Sequence, residues 1–211
     1  MLPAAVGYLI LGEAIVRLML EHGVMSPEST DLVADVLRLF VLGLVPFSIF
    51  QLFLRAFYAL QDTKTPFLIN CATVALNTAI NVALFKSLRV QGLAAGHAIA
   101  YVFAVIVQGR VLSRRIGGLD GTRMLRSGLR IGAAAAAMGV VVWAASRGLE
   151  AIVSTDALTG QIAAVAVPIA LGVGAYLGFC LLFGVEELAY VRTLVTRRLG
   201  RDARTADDGG R

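Results

Sequence analysis

The chain contains few of the residues on which soluble enzymes depend. Charged residues make up 16% of its 211 residues, against about 25% in an average soluble domain. It has two histidines, and its sequence contains no glycine-rich phosphate loop, no HExxH and no nucleophile elbow. These absences exclude an ordinary soluble enzyme, and the scattered acidic residues also argue against a membrane enzyme. We therefore expect a protein without catalytic activity or cofactor.

Cysteine is equally scarce, with only Cys71 and Cys180 in the chain. So few cysteines exclude a disulfide-rich scaffold, and neither has the Cys or His neighbours that a metal site needs. Because both lie in apolar runs, we expect two small buried hydrophobic side chains.

Apolar residues dominate the chain, at 58% of the sequence with a mean hydropathy of +0.79. A helix that crosses a bilayer core of about 30 Å needs about 20 mostly apolar residues. The sequence predicts an all-α, polytopic membrane bundle in residues 1–184. Its six transmembrane helices are expected at 1–21, 33–57, 66–86, 90–112, 127–147 and 162–184.

The basic residues are distributed unequally between the two sides of this bundle. Fourteen fall in the even-numbered gaps and after the last span, and three fall in the odd-numbered gaps. The positive-inside rule then places both termini on the cytoplasmic side of the membrane. The net charge of +5 is thereby assigned to the cytoplasmic edge and to membrane lipids, and no nucleic acid partner is expected.

The segment after the last span has a different character. Apolar residues of 185–199 fall on one helical face, which predicts an amphipathic helix lying on the inner leaflet. The polar residues 200–211 predict a disordered cytoplasmic tail.

Polar side chains inside the predicted spans are candidates for function, because they are costly in lipid. Glu13 and Arg17 are four residues apart, which favours a self-neutralising pair over a transport role. Asn77 and Asn81 share a helix face, where they can bond a neighbouring helix or bind a hard cation. His97 can be a structural hydrogen-bonding group or a proton carrier. For these three residues, a structural role is favoured over ion coupling.

Small residues are concentrated in the last two spans. Ala133 to Ala137 lie in the fifth span, and Gly172, Gly174 and Gly178 lie in the sixth. Such residues let helices pack closely or leave a shallow groove that faces lipid. Close packing is the favoured interpretation.

One long motif is specific to a family. It begins with Gly43-Leu44-Val45-Pro46 and continues through 54–66 with Arg55, Phe57, Tyr58, Asp62, Thr63, Thr65 and Pro66. This pattern resembles the MurJ/MviN family, the lipid II flippases of the MOP exporter superfamily. The resemblance covers nearly all of the chain and corresponds to helices nine to fourteen, the C-terminal lobe, of a fourteen-helix protein.

The resemblance implies a multi-pass protein of the bacterial cytoplasmic (inner) membrane that translocates lipid II, the undecaprenyl-linked peptidoglycan precursor, by alternating access. This transport serves cell-wall synthesis and cell shape. The resemblance also implies that a partner N-terminal lobe is missing and that this chain, as a fragment, is inactive alone. Two other functions stay open. One is export of a related lipid-linked oligosaccharide, and the other is a non-transporting scaffold for proteins of cell-wall synthesis.

Two sites are implied by the same resemblance. The sodium site of some family members corresponds to Asn77, Asn81, Leu93 and His97, with Asn81 where an acid would stand. Loss of an anionic ligand weakens a cation site, so we expect this chain alone not to bind sodium, and proton coupling through His97 is the alternative. The family's groove for the lipid tail corresponds to Ala133, Ala137, Gly172, Gly174 and Gly178.

Overall fold

A computed structural model describes residues 1–20, 27–118, 121–150 and 158–183. These residues form an all-helical structure, as expected, and the described ranges contain no strand. The five helices are α1 (Leu2–Leu20), α2 (Pro27–Ala59), α3 (Lys64–Arg115), α4 (Gly121–Glu150) and α5 (Leu158–Leu182). Each is long and apolar enough to cross a membrane.

Helix α3 is a hairpin with two arms. Its 52 residues would extend about 78 Å as a straight helix, far beyond the bilayer thickness of about 30 Å. The backbone of Arg89, with φ 47° and ψ −125°, interrupts the helix. The arms 64–88 and 90–115 then run antiparallel, so that Arg115 returns to within 2.9 Å of Thr65.

The prediction of six separate helices is therefore corrected in one respect. The spans expected at 66–86 and 90–112 correspond to the two arms of α3, but no loop separates them. Helical conformation continues through 86–88 and resumes at 90, and Arg89 alone departs from it. A positive φ is uncommon for a residue with a Cβ. The break at Arg89 is therefore unusual, because the sequence has no glycine or proline at this point.

The two arms touch at Gly92 and Gly96 of the second arm, which belong to a stripe of small residues. Gly92, Gly96, Ala100 and Ala104 recur every four residues and are buried. A Cβ atom built on Gly96 would overlap Oδ1 of Asn81 on the first arm. Small residues at this spacing let two backbones approach closely, and such packing holds helices together in lipid.

The remaining helices are arranged around α1. Helix α2 packs along the second arm of α3, with Gly43 against Ala98 and Phe53 against Gly109. Helices α4 and α5 pack against each other and against α1, which also contacts α2. In the described part of the chain, α4 and α5 have no Cα atom within 8 Å of α2 or α3. Helix α1 is therefore the bridge between two groups of helices.

Two further expectations concern the C-terminal segment and the two cysteines. The predicted amphipathic helix at 185–199 and the tail at 200–211 lie outside the described residues. Cys180 is buried as expected, but Cys71 is exposed. The latter expectation was wrong because a membrane helix carries apolar side chains on its outward face as well as towards its neighbours.

The close approach of the two arms gives a testable prediction. Gly96→Ala places a methyl group on Asn81, and overpacking of this kind costs about 1–3 kcal/mol. The melting temperature of the detergent-purified chain should fall.

Gly132→Ala is the matched control, because a Cβ at Gly132 meets nothing within 4 Å. Alanine is also the better helix former by about 1 kcal/mol, so this variant should keep or raise the melting temperature. Equal effects of the two substitutions would contradict the observed contact between the arms.

Candidate functional sites

The family motif forms the junction between α2 and α3. Helix α2 ends at Ala59, and Gln61 follows it with φ 57°. The N–H of Asp62 donates to the carbonyl of Phe57 at 3.0 Å. This is the hydrogen-bond pattern of a Schellman cap. The ring of Phe57 is fully buried and packs with Phe53 and Leu112. The motif therefore ends one helix while it fixes that helix to the second arm of α3.

Asp62 is the centre of this junction. Its Oδ1 accepts hydrogen bonds from the backbone N–H groups of Lys64 and Thr65, both at 3.1 Å, which satisfies free donors at the start of α3. Its Oδ2 pairs with the guanidinium of Arg115 at 2.5 Å. Hydrogen bonds from the side chain and backbone of Thr65, helped by the charge of Arg115, hold the pKa of Asp62 below its ordinary value.

The other motif residues divide into two groups. Pro66 is buried and Thr65 is partly buried, so both belong to the junction. Arg55, Tyr58 and Thr63 are exposed, and no described contact explains their presence in the motif. They are the motif residues available to lipid or to another protein segment.

The predicted pair of Glu13 and Arg17 is present, with a nitrogen-to-oxygen distance of 2.9 Å. It is part of a larger network, because Arg38 on α2 also binds Glu13 at 3.1 Å. Arg38 in turn binds Asp35 at 3.1 Å, and Gln91 on α3 donates to Asp35 at 3.4 Å. The network therefore connects α1, α2 and α3.

Sequence reasoning assigned Arg38 no role in joining helices. The available signal was Asp35 three residues before Arg38, inside the same apolar span as that arginine. The two acids and two arginines of the network balance in charge, and all four side chains are partly exposed. The network therefore resembles a neutral connection between helices more than an anion-binding site.

Of the four ion-coupling candidates, Asn77 and His97 line a common cavity, while Asn81 and Leu93 do not. Asn81 Nδ2 donates to Asn77 Oδ1 at 2.6 Å, as their spacing predicts. Asn77 and His97 line one side of a small cavity of about 110 Å³, together with Asn70, Thr73, Val74, Thr78 and Tyr101. Asn81 does not line it. Leu93 has an exposed side chain and lies within the regular second arm, where backbone carbonyls serve the helix itself.

The imidazole of His97 sits among aromatic rings. It stacks on Phe40 of α2 with centroids 4.7 Å apart and an interplanar angle of 17°. Tyr101 contacts it edge-on, also at 4.7 Å, and Phe47 and Phe50 pack around Tyr101. The ring of His97 is therefore positioned by packing on α2.

The donors around this cavity fit a sodium ion poorly. The side-chain oxygens that line it come from amides and hydroxyls, all of them neutral. Across the described ranges, no group of three His, Cys, Asp or Glu residues could hold a metal ion. No carboxylate lines the cavity to balance the charge of a cation, and the amide oxygen of Asn77 already accepts a hydrogen bond.

The predicted lipid-tail groove differs from the apolar cavity in the structure. A cavity of about 420 Å³ lies between α1, α4 and α5, with Leu11, Met138 and Tyr176 among its lining residues. Of the five predicted groove residues, only Gly172 lines it. Ala133, Gly174 and Gly178 are exposed, and Ala137 is partly buried.

The position of this cavity has a physical reason. Gly172 packs so tightly on α4 that a Cβ there would lie 2.7 Å from Val142. The contact closes the space between α4 and α5, and the open recess is displaced towards α1. A lipid-tail role for any of these residues stays a prediction.

Gln108 is a buried polar residue that the sequence pattern did not single out. Gln108 is fully buried in the second arm of α3, and neither of its amide atoms has a hydrogen-bond partner among the described residues. Its place in a long apolar run was the signal for it. A buried amide of this kind is costly in a membrane.

Comparison with known proteins relates this arrangement to one family. The family model "Lipid II flippase MurJ" matches residues 1–162. A solved structure titled "Lipid II flippase MurJ, inward closed conformation" superimposes with a TM-score of 0.71 and 21% identity. It covers 89% of this chain and 36% of that chain. At this identity, the superposition shows a shared fold.

Two curated relatives extend the comparison. The "Probable lipid II flippase MurJ" of Rhizobium meliloti is 38% identical over 171 residues, which is 77% of this chain and 32% of that protein. The protein of the same description from Rhizobium tropici is 28% identical over 199 residues, or 93% of this chain and 37% of that protein. The chain therefore spans about a third of the length of these relatives.

The lowered pKa of Asp62 predicts how stability depends on pH. An ionised Asp62 stabilises the fold above the unfolded pKa of about 3.9, and this stabilisation is lost as the pH falls through the lower folded pKa. Asp62→Asn should therefore lower the melting temperature at neutral pH. The difference from the parent chain should shrink below about pH 4.

Asp31→Asn is the control, because it removes an exposed carboxylate far from the junction. A difference between Asp62→Asn and the parent that stays constant down to about pH 3 would show that the charge of Asp62 does not stabilise the junction.

Proposed function

This chain belongs to the MurJ family of lipid II flippases, and we propose that it forms part of a transporter that moves lipid II across the bacterial inner membrane. Family membership and the apolar helices identify a multi-pass protein of that membrane. The observation that carries the proposal is the family match over residues 1–162, on a chain whose fold resembles a solved flippase. Its action is transport without covalent chemistry.

The proposed transporter needs more than this chain. Since the chain covers about a third of its relatives, we assign it the role of one lobe, the C-terminal one, which works against another. Alternating access then moves the two lobes relative to each other around a central cavity. The apolar cavity between α1, α4 and α5 supports the proposal, because a substrate with a polyprenyl chain needs an apolar recess.

The proposed orientation places both ends of the chain in the cytoplasm. The junction at Asp62 and the end of α3 at Arg115 lie on the same side of the bundle, since these two residues form an ion pair. Lys64, Arg110 and Arg114 belong to that same end, and clustered basic residues favour the cytoplasmic side.

The coupling ion we propose is the proton and not sodium. No carboxylate lines the cavity, and a cation site without an anionic ligand is weak, while His97 carries a side chain that can exchange a proton. His97 contacts Phe40 of α2, so a change in its charge would act directly on the contact between α2 and α3.

A chimera tests the proposed function. The matching region of the Rhizobium meliloti relative is replaced by this chain, and the chimera is expressed in a flippase-depleted bacterium. We expect the chimera to restore growth and lipid II translocation, and this chain alone to restore neither. His97→Ala in the chimera should reduce translocation, and unchanged translocation would exclude the proton role.

The other outcomes separate the alternatives. Rescue by the chain alone would contradict the single-lobe role. A membrane-inserted chimera that fails with lipid II but restores export of another lipid-linked oligosaccharide would identify the related exporter. A chain that captures cell-wall synthesis proteins and no lipid would identify a scaffold.

The proposed orientation predicts where a reporter enzyme is active. Alkaline phosphatase fused after Asp156 should be active, because this enzyme folds outside the cytoplasm and the residue lies between α4 and α5. The matched fusion after Gly118, between α3 and α4, should be inactive. The reverse pattern of activities would invert the topology.

A further inference from the structure

We propose that Glu13 and Arg17 on α1, with Asp35 and Arg38 on α2, form a latch that opens and closes the contact between these helices. In the closed latch, Glu13 binds Arg38 across the contact. In the open latch, Glu13 binds only Arg17 and Arg38 binds only Asp35, and α1 moves with α4 and α5 away from α2 and α3. The latch does not depend on which lipid is transported, because it concerns the contact between helices alone.

The first support is that Glu13 binds two arginines at once. Its Oε1 lies 2.9 Å from Arg17, and its Oε2 lies 3.1 Å from Arg38. Because Arg17 follows Glu13 by one helical turn, that pair forms within α1 alone. Only the pair with Arg38 requires the two helices to be in contact, so it is the one that helix movement breaks.

The second support is that the network divides into two neutral halves. Arg38 also binds Asp35, three residues earlier on α2, at 3.1 Å. Gln91 of α3 donates to Asp35 at 3.4 Å, so this half stays with α2 and α3. A buried charge that loses its partner is strongly destabilising. When α1 leaves α2, each acid keeps one arginine, so the separation avoids that cost.

The third support is the position of α1 between the two groups of helices. Helix α1 fits closely on α4, where a Cβ at Gly139 would lie 2.7 Å from Val6. It fits less closely on α2, where a Cβ at Gly12 would lie 3.5 Å from Leu37. We therefore expect α1 to stay with α4 when the latch opens.

The latch lies at the end of the bundle opposite the junction at Asp62. Arg17 is in the last turn of α1, and Gln91 follows the break at Arg89 by two residues. The four charged side chains are partly exposed, so long side chains among them can extend to the membrane surface when the helices separate. Opening at one end of the bundle while the other end stays joined is the kind of movement that alternating access needs.

Exchange of Glu13 between two arginines predicts opposite effects for two substitutions. Glu13→Gln removes the bond across the contact and should open the latch. Arg17→Gln removes the competing arginine on α1 and should favour the closed latch, because Arg38 is then the only arginine of the network left for Glu13. A fixed cluster of charges predicts instead that both substitutions loosen the contact.

The test measures the distance between the two groups of helices in the full-length chain in lipid nanodiscs. Alanine replaces the two native cysteines, and spin labels are attached through Phe85→Cys on α3 and Ile162→Cys on α5, both exposed positions at the latch end of the bundle. Double electron–electron resonance reports the fraction of molecules with a long distance between the labels. We expect Glu13→Gln to raise this fraction about threefold and Arg17→Gln to lower it.

Arg147→Gln is the matched control, because Arg147 lies over the ring of Trp143, outside the network, and should leave the fraction unchanged. An unchanged fraction with Glu13→Gln, or a fraction that Arg17→Gln does not lower, would overturn the inference. Should Glu13→Gln fail to fold, Asp35→Asn combined with Arg38→Gln removes the same bond and leaves each helix neutral. The same rise is then expected, and its absence overturns the inference equally.

Discussion

Close contact between helices at positions without a side chain holds this molecule together. Helices in lipid gain little from burying apolar surface, because lipid is as apolar as their own side chains. Dispersion contacts have to compensate, and these require short distances. Gly43 brings α2 to the second arm of α3, Gly96 brings the two arms together, Gly139 brings α4 to α1, and Gly172 brings α5 to α4.

The geometry of the candidate sites follows from these contacts between helices. Asn81 occupies the space left by the missing side chain of Gly96, and this position leaves its partner Asn77 at the edge of the polar cavity. The tight contact of Gly172 with Val142 closes one side of the apolar cavity and leaves the other open. A change in helix packing would therefore alter both sites, even at a residue that touches neither.

The sequence contains enough information to predict the helical membrane fold, because the apolar runs are long and the motif between α2 and α3 is specific. The two apolar runs place a reversal between residues 86 and 90, but they could not reveal that Arg89 alone makes it, since no glycine or proline marks the break. Spacing predicted the Asn77–Asn81 bond, which depends on one helix alone. The link from Arg38 to Glu13 and the displacement of the apolar cavity towards α1 depend on how separate helices meet, and hydropathy does not report that.

The hairpin of α3 has a consequence for biosynthesis. With one residue between its arms, the first arm cannot settle in the bilayer and wait for the second to emerge from the ribosome. Both arms must leave the translocon together, as one inserted unit. Asn81 on the first arm is then covered by Gly96 of the second from the moment it meets lipid, so a chain with such a polar group can still be accepted as a membrane segment.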